Sequence, residues 1–178
     1  MKMVILDRDG VINHDSPDYI KSVAEFHPIA GSLEAIARLS QAGYRVCVAS
    51  NQSGIGRGLF DYEAFAAINA HLHKLLAELG GRIEAIAFAP GHPDDASHRR
   101  KPNPGMLEDL ARRLGCSLDG VWMIGDSAGD LAAATAAGAT PVLVRTGNGR
   151  ATEAKARPTP SLVFDDLAAA ATALLAAA

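Results

Sequence analysis

The feature that most constrains the fold is a regular alternation of short apolar segments with longer segments of helical periodicity. Strands that alternate with helices form crossover units, which place the strands parallel in one sheet and the helices on both of its faces. We therefore predict an α/β fold with a doubly wound, mainly parallel sheet. The predicted strands cover residues 4–6, 44–49, 83–88, 121–124, 142–144 and 162–164.

Capping residues predict where the helices begin and end. Ser32 and Asp61 are predicted N-caps, because side-chain oxygens at that position accept hydrogen bonds from the first helical turn. Gly43 and Gly80 are predicted to end these two helices. Three further helices are predicted, over 104–114, from 127 to about 138, and from 166 onward.

Composition limits the class of protein. The chain has 178 residues, 48% of them hydrophobic, which is enough for the core of a single domain over 1–178. A net charge of −3 argues against a nucleic acid or an acidic membrane as partner. The first apolar segment is too short for a signal peptide or a membrane span, and the two cysteines, Cys47 and Cys116, suit a reducing compartment. A cytoplasmic location is therefore expected.

Two carboxylates, Asp7 and Asp9, follow the first predicted strand and precede a glycine. The carboxyl ends of parallel strands are where α/β proteins bind ligands. Two like charges so close together repel each other, so a bound cation or the chemistry of an anionic substrate would explain them. The alternative is a solvated turn, because Asp-Gly is a common turn dipeptide.

Further polar residues follow other predicted strands. Ser50 follows the second strand, Asp126 follows the fourth with Asp130 four residues later, and Lys101 precedes a helix. Carboxylates are oxygen ligands that Mg²⁺ prefers, and a hydroxyl, backbone amides and a lysine stabilise phosphoryl oxygens. The set predicts metal-assisted phosphoryl transfer. For Asp130 alone, an ordinary first-turn helix acid is an equal alternative.

The order of these motifs resembles the haloacid dehalogenase superfamily of phosphatases. The resemblance rests on the segment DRDGV at residues 7–11, on Ser50 and Lys101, and on Gly125-Asp126 with Asp130. It implies that Asp7 is a nucleophile that forms an aspartyl-phosphate and that Asp9 is the general acid and base. Ser50 and Lys101 would hold the phosphoryl oxygens.

The resemblance also implies a Mg²⁺ site and a Rossmann-like core. Asp7, the backbone carbonyl of Asp9 and Asp126 would bind the ion, with Asp130 behind the direct ligands. Relatives commonly bind structural zinc in the loop before Lys101, but none of the aligned residues here is a zinc ligand. No structural zinc is therefore predicted. The four aligned residues are Ala89, Gly91, Ser97 and Arg99.

Four stretches are similar to the heptose-bisphosphate and histidinol-phosphate phosphatases of that superfamily. The stretches are DRDGVIN, SNQSGIGRG, RRKPNPGML and VLVRTGNG. They imply a small phosphorylated sugar as substrate, a heptose 1,7-bisphosphate, with histidinol phosphate as the alternative. Short intervals between the motifs leave little room for a large cap domain, so an open site and a monomer are expected.

The same similarity implies a set of substrate contacts around the phosphoryl site. Ser127 lies where the heptose enzymes often carry lysine, a departure that would weaken the contact there. The implied contact residues are Asp15, Ser16, Tyr19, Asn51, Gln52, Ser53, Arg100 and Ser127.

A phospho-accepting receiver domain is the alternative from a different class of protein. Such modules also place acidic residues, a hydroxyl and a lysine at the strand ends of a doubly wound sheet. Their phosphate acceptor follows the third strand, however, where this chain has Ala89-Pro90-Gly91 and no acid. The spacing of Asp7 and Asp9 favours the enzyme, because a receiver domain has no use for a general acid.

Overall fold

The structure is a computed structural model that describes residues 2–94, 97–156, 160 and 162–177. The six strands of the described residues form one sheet, and every neighbouring pair is parallel. The predicted doubly wound sheet is confirmed, with strand ends that differ from the prediction by one or two residues. The strands are β1 (Met3–Leu6), β2 (Arg45–Asn51), β3 (Ala85–Ala89), β4 (Trp122–Gly125), β5 (Thr140–Val144) and β6 (Val163–Phe164). Their order in the sheet is β3-β2-β1-β4-β5-β6.

Helices connect the strands. The five long helices lie where the sequence predicts them. The short helices at Ser53–Gly56 and Gly149–Lys155 and a 3-10 helix at Val23–Glu25 have too few residues for a helical period to show. Within the described ranges, no helix has the length and apolar character needed to cross a membrane. The helices are α1 (Ser32–Gln41), α2 (Ser53–Gly56), α3 (Tyr62–Glu78), α4 (Gly105–Leu114), α5 (Ala128–Ala136), α6 (Gly149–Lys155) and α7 (Leu167–Ala176).

The two predicted N-caps have different outcomes. The carboxylate of Asp61 accepts a hydrogen bond of 2.8 Å from the N–H of Ala64, so this cap is confirmed. The prediction for Ser32 is wrong, because Gly31 occupies the cap position with a φ of +81°. Ser32 is the first helical residue, and its hydroxyl donates to the carbonyl of Val11 at 2.9 Å. Its side chain therefore ties α1 to the loop that follows β1.

Alternate residues of the strands pack against helices on opposite faces of the sheet. Leu6, Val48 and Ile124 belong to a core that includes buried residues of α1, α3 and α7. The intervening residues, such as Ile5 and Cys47, pack with buried residues of α4 and α5. Because both faces are covered, the strands are mostly apolar, and polar residues concentrate at or beyond their carboxyl ends, as Ser50 and Asn51 do at the end of β2.

Candidate active site

The site lies where the order of the strands reverses, between β1 and β4. Asp7 and Asp126 directly follow these two adjacent strands, and the N–H of Asp7 donates to the carbonyl of Ile124 at 2.9 Å. With Asp130, they form a group whose ligand oxygens lie within 4.8 Å of one another. In the described part of the chain, this is the one group of three or more His, Cys, Asp or Glu side chains close enough together to hold a metal ion. A reversal of strand order opens a crevice at the carboxyl edge, which is where ligands bind in this type of sheet.

Lys101 reaches into this acidic group from the loop before α4. Its Nζ lies 3.0 Å from Oδ1 of Asp7 and 2.6 Å from Oδ1 of Asp130, and it donates to the carbonyl of Ala49 at 2.7 Å. Burial opposes the charge of this amine, but Asp130 and Asp7 outweigh it and raise the pKa of Lys101 above its ordinary value. A lysine held in its charged form beside Asp7 suits the binding of phosphoryl oxygens.

The group combines three carboxyl groups with the single amine of Lys101. Burial raises the pKa of Asp7 to about 8, although Lys101 lowers it, while Asp130 and Asp126 raise it further. Burial likewise raises the pKa of Asp126 to about 6, against hydrogen bonding from the N–H of Asn148. A divalent cation would favour the ionised form of both groups. The donor set therefore fits Mg²⁺, which prefers oxygen ligands.

Two glycines allow the backbone to approach Asp126 closely. Gly10 has a φ of +83°, and a Cβ built on it would overlap Oδ2 of Asp126. Gly147 has a φ of +54°, and its Cβ would overlap the same oxygen. At each position a larger residue would displace the carboxylate as well as strain the backbone.

Asp130 performs two structural tasks. Its Oδ2 accepts hydrogen bonds from the N–H of Ser127 at 2.9 Å and from the Ser127 hydroxyl at 2.7 Å, and Ser127 in turn caps α5. Its Oδ1 pairs with Lys101, and the residue is fully buried. Asp130 is therefore both the first-turn acid that the alternative interpretation describes and the counter-ion of Lys101. Whether it touches a metal ion stays a prediction.

A buried cage of three side chains holds Asp9. Arg8 donates from Nε and Nη2 to the carboxylate at 2.8 to 3.0 Å. Asn13 donates to Oδ1 at 2.8 Å, and Gln52 donates to Oδ2 at 2.9 Å. Arg8 is 1% exposed, and its guanidinium carbon lies 5.8 Å from the centroid of the Phe65 ring. Sequence reasoning missed Arg8 and Asn13.

Most of the implied substrate contacts surround a cavity of 280 Å³ that Asp7, Asp9, Lys101 and Asp126 also line. Of the described residues implied to bind or catalyse, Ser50, Ser53 and Arg100 are not in its lining. Ser50 is buried, and its hydroxyl accepts a hydrogen bond of 2.9 Å from Gln52. The remaining implied contacts in the lining are Asp15, Ser16, Tyr19, Asn51, Gln52 and Ser127.

Several of these lining residues are engaged by the protein itself. Gln52 bonds to Asp9 and Ser50, and Ser127 caps α5. By contrast, Asp15 is exposed at the opening, beside Ser16, whose N–H donates to it at 2.8 Å. Of the lining residues, Asp15, Pro17 and Asn148 are exposed, and the side-chain amide of Asn148 donates to Oδ2 of Asp15 at 3.4 Å.

Asn148 is a lining residue that sequence reasoning did not assign. Its N–H donates to Oδ2 of Asp126 at 2.7 Å, and its side-chain amide lies 3.3 Å from the same oxygen. The segment VLVRTGNG includes this residue, and the end of β5 is adjacent to β4 in the sheet. Asn148 comes four residues after β5 ends at Val144, so it does not directly follow a strand as Asp126 does.

The loop aligned with the zinc site of relatives is held by other contacts. Ala89 is buried at the end of β3, and its carbonyl accepts from the N–H of Gln52 at 2.8 Å. Arg99 pairs with Asp109 at 3.4 Å. The absence of structural zinc stays a prediction. Metal analysis of protein purified without added metal or chelator tests it, and a stoichiometric zinc ion would overturn it.

Asp7, Asp9, Lys101 and Asp126 line one cavity at the strand ends, as the resemblance to the haloacid dehalogenase-like hydrolases implies. The family model described as HAD-hydrolase-like matches residues 98–170. The chain belongs to this family, since relatives match nearly its whole length.

Two of these relatives are bacterial phosphatases. The chain is 54% identical over 173 residues to the D-glycero-β-D-manno-heptose-1,7-bisphosphate 7-phosphatase of Pseudomonas aeruginosa, with 97% of each chain covered. It is 51% identical to the enzyme of the same name from Bordetella bronchiseptica, with 98% of each chain covered. A solved structure of D,D-heptose 1,7-bisphosphate phosphatase from B. bronchiseptica, complexed with magnesium and phosphate, superposes with a TM-score of 0.97 over 100% of both chains at 51% identity.

Proposed function

We propose that the protein is a Mg²⁺-dependent phosphomonoesterase that removes the 7-phosphate of D-glycero-β-D-manno-heptose 1,7-bisphosphate. The observation that carries the chemistry is the position of Lys101, 3.0 Å from Asp7 in a cavity that Asp126 also lines. The substrate and its β anomer come from the names of relatives that match 97% and 98% of the chain at more than 50% identity.

In the proposed reaction, Asp7 attacks the phosphorus of the 7-phosphate. The phosphoryl group passes to the Asp7 carboxylate while the bond between phosphorus and the sugar oxygen breaks. Lys101 stabilises the phosphoryl oxygens. A contact from Ser50 stays a prediction, since its hydroxyl is buried outside the cavity lining and accepts a hydrogen bond from Gln52. Bound Mg²⁺, held by Asp7, Asp126 and the carbonyl of Asp9, would neutralise the charge of the phosphoryl group.

Asp9 supplies the proton transfers. In the first step it donates a proton to the leaving sugar oxygen, and in the second it accepts one from the water that attacks the phosphorus of the aspartyl-phosphate. The cage of Arg8, Asn13 and Gln52 fixes the side chain beside the cavity. This fixed orientation supports Asp9, rather than the exposed Asp15, as the general acid and base.

We propose that residues 1–178 form one domain without a large cap, since the described part between β1 and α1 contains only a three-residue 3-10 helix. An uncapped cavity leaves room for the second phosphate of a bisphosphate outside the phosphoryl site. A monomer in the cytoplasm stays the prediction.

A panel of phosphate esters tests the function. Phosphate release with Mg²⁺ is measured for both anomers of the heptose 1,7-bisphosphate, histidinol phosphate and an aryl phosphate. A kcat/KM for the β-heptose at least about a hundredfold above the others, abolished in Asp7→Asn, is the expected result. Equal, weak activity on every ester would contradict the substrate assignment, and full activity in Asp7→Asn would contradict the mechanism.

A further inference from the structure

The side chain of Asn51 is paired with the backbone of Lys101. Its Nδ2 donates to the Lys101 carbonyl at 2.9 Å, and its Oδ1 accepts from the Lys101 N–H at 3.1 Å. Because one bond requires a donor and the other an acceptor, only one orientation of the amide satisfies both. Asn51 is the last residue of β2, so this pair of bonds connects the sheet to the loop that carries the lysine.

Lys101 depends on this connection more than a residue in a regular element would. It lies before α4, outside any helix or strand. In the described part of the chain, the hydrogen bonds to its backbone N–H and carbonyl come from Asn51 alone. Its side chain must then place Nζ between Asp7, Asp130 and the carbonyl of Ala49. A shift of the backbone would move Nζ away from these acceptors.

We infer that Asn51 is a positioning residue that fixes Lys101 for phosphoryl binding, rather than a contact that recognises the sugar. The inference rests on the proposed function. Asn51 lines the cavity, which is why similarity implies a substrate contact, but one donor and one acceptor of its amide are already committed to Lys101. It therefore acts on the reaction through the lysine.

The two roles predict different dependence on the substrate. Lys101 binds the phosphoryl group, which every phosphate monoester shares, whereas a sugar contact matters only for the sugar substrate. Displacing a catalytic group by about 1 Å costs on the order of 100-fold in rate. We therefore expect Asn51→Ala to lower kcat/KM by about 10- to 100-fold, by the same factor for the heptose bisphosphate and for an aryl phosphate.

Asn103→Ala is a matched control from the same loop. Asn103 is exposed, and its side chain donates to the carbonyl of Ser97 at 2.9 Å. Among the described residues, no hydrogen bond joins this side chain to Lys101. We expect it to change kcat/KM by less than about twofold, as for most surface substitutions. If kcat/KM fell equally in Asn103→Ala and Asn51→Ala, the loss would result from a less ordered loop and not from the bonds between Asn51 and Lys101. That result would overturn the inference.

The decisive experiment combines Asn51→Ala with Lys101→Met. If Asn51 acts through the lysine, Asn51→Ala should cause no further loss of kcat/KM in the Lys101→Met background. Fully multiplicative losses, or a loss confined to the heptose bisphosphate, would overturn the inference. Asn51→Asp, which keeps an acceptor for the Lys101 N–H, serves as a second variant if Asn51→Ala does not fold.

A binding measurement separates this inference from the proposed function. Inorganic phosphate is titrated into Mg²⁺-loaded wild-type and Asn51→Ala protein by calorimetry. A tenfold or greater weakening supports the positioning role even if the wild-type enzyme prefers another ester. Unchanged phosphate affinity would overturn the inference, whereas a wild-type protein that binds phosphate but hydrolyses no ester would contradict only the function.

Discussion

Replacement of Asp130 by alanine tests how much its ion pair with Lys101 stabilises the folded protein. The substitution removes the counter-ion 2.6 Å from Lys101 Nζ and the acceptor for the N–H of Ser127 at the start of α5. Both Asp130 and Lys101 are nearly inaccessible to solvent, so water cannot replace the lost partner. The variant therefore leaves a buried amine whose remaining partners are Asp7 and the carbonyl of Ala49.

The size of the effect follows from these contacts. Removing one partner of a buried ion pair costs about 3–5 kcal/mol, and the lower end applies because Asp7 still faces Lys101. Loss of the capping box adds about 1 kcal/mol. The free energy of unfolding should fall by roughly 4 kcal/mol, which for a domain of this size lowers Tm by about 8–16 °C.

Thermal unfolding of the metal-free protein measures this prediction. Ser127→Ala is the control, since it removes only the hydroxyl of the capping box and should lower Tm by about 2–4 °C. Asp130→Asn, which keeps the shape and the oxygen of the cap but removes the charge, should fall between the two. If Asp130→Ala melted within experimental error of Ser127→Ala, the ion pair with Lys101 would contribute nothing and the reasoning would be refuted.

Three further predictions concern neighbouring residues. Asp9→Asn should lower kcat by about 10²–10⁴-fold, measured by steady-state phosphate release; near wild-type turnover would remove its role as general acid and base. Gly10→Ala should abolish Mg²⁺-dependent stabilisation in a melting titration, because the new Cβ displaces Asp126; unchanged metal affinity would contradict this. Burial raises the pKa of Asp126 to about 6. Protonated Asp126 therefore stabilises the folded, metal-free protein below a pH of about 4, and this contribution is lost as the pH rises through 6. The stability of wild type relative to Asp126→Asn should thus fall by about 3 kcal/mol over that range, and equal pH dependence would contradict it.

The strand framework could be predicted because burial leaves a strong signal in the sequence. A strand covered on both faces must be apolar throughout, so the change from Leu6 to Asp7 marks its end. Other features have no such signal. The four residues of α2 include two glycines and show no period, and the true cap of α1 is a left-handed Gly31 that sequence alone does not distinguish from a loop glycine.

The rule that ligands bind beyond the carboxyl ends of parallel strands predicted part of the site. Asp7 and Asp126 satisfy that rule, and the structure brings them together. Arg8 could not be identified, because an arginine between two acids in sequence resembles a solvated charge; its burial arises only when the loop turns so that Asn13 and Gln52 surround the same carboxylate. Which polar side chains hydrogen-bond to each other depends on their distances in the folded chain. The spacing of residues along the sequence does not determine those distances.

Identification of the residue that carries the phosphoryl group tests the central claim most directly. The Asp9→Asn variant, in which hydrolysis of the aspartyl-phosphate is slowed, is mixed with Mg²⁺ and the heptose bisphosphate, quenched, and reduced with borohydride. Reduction converts an aspartyl-phosphate to homoserine, which peptide mass spectrometry locates. We expect homoserine at position 7 and none when Asp7 is replaced by asparagine. Modification at Asp126 or Asp130, or turnover with no trapped residue, would contradict the assignment of Asp7 as the nucleophile.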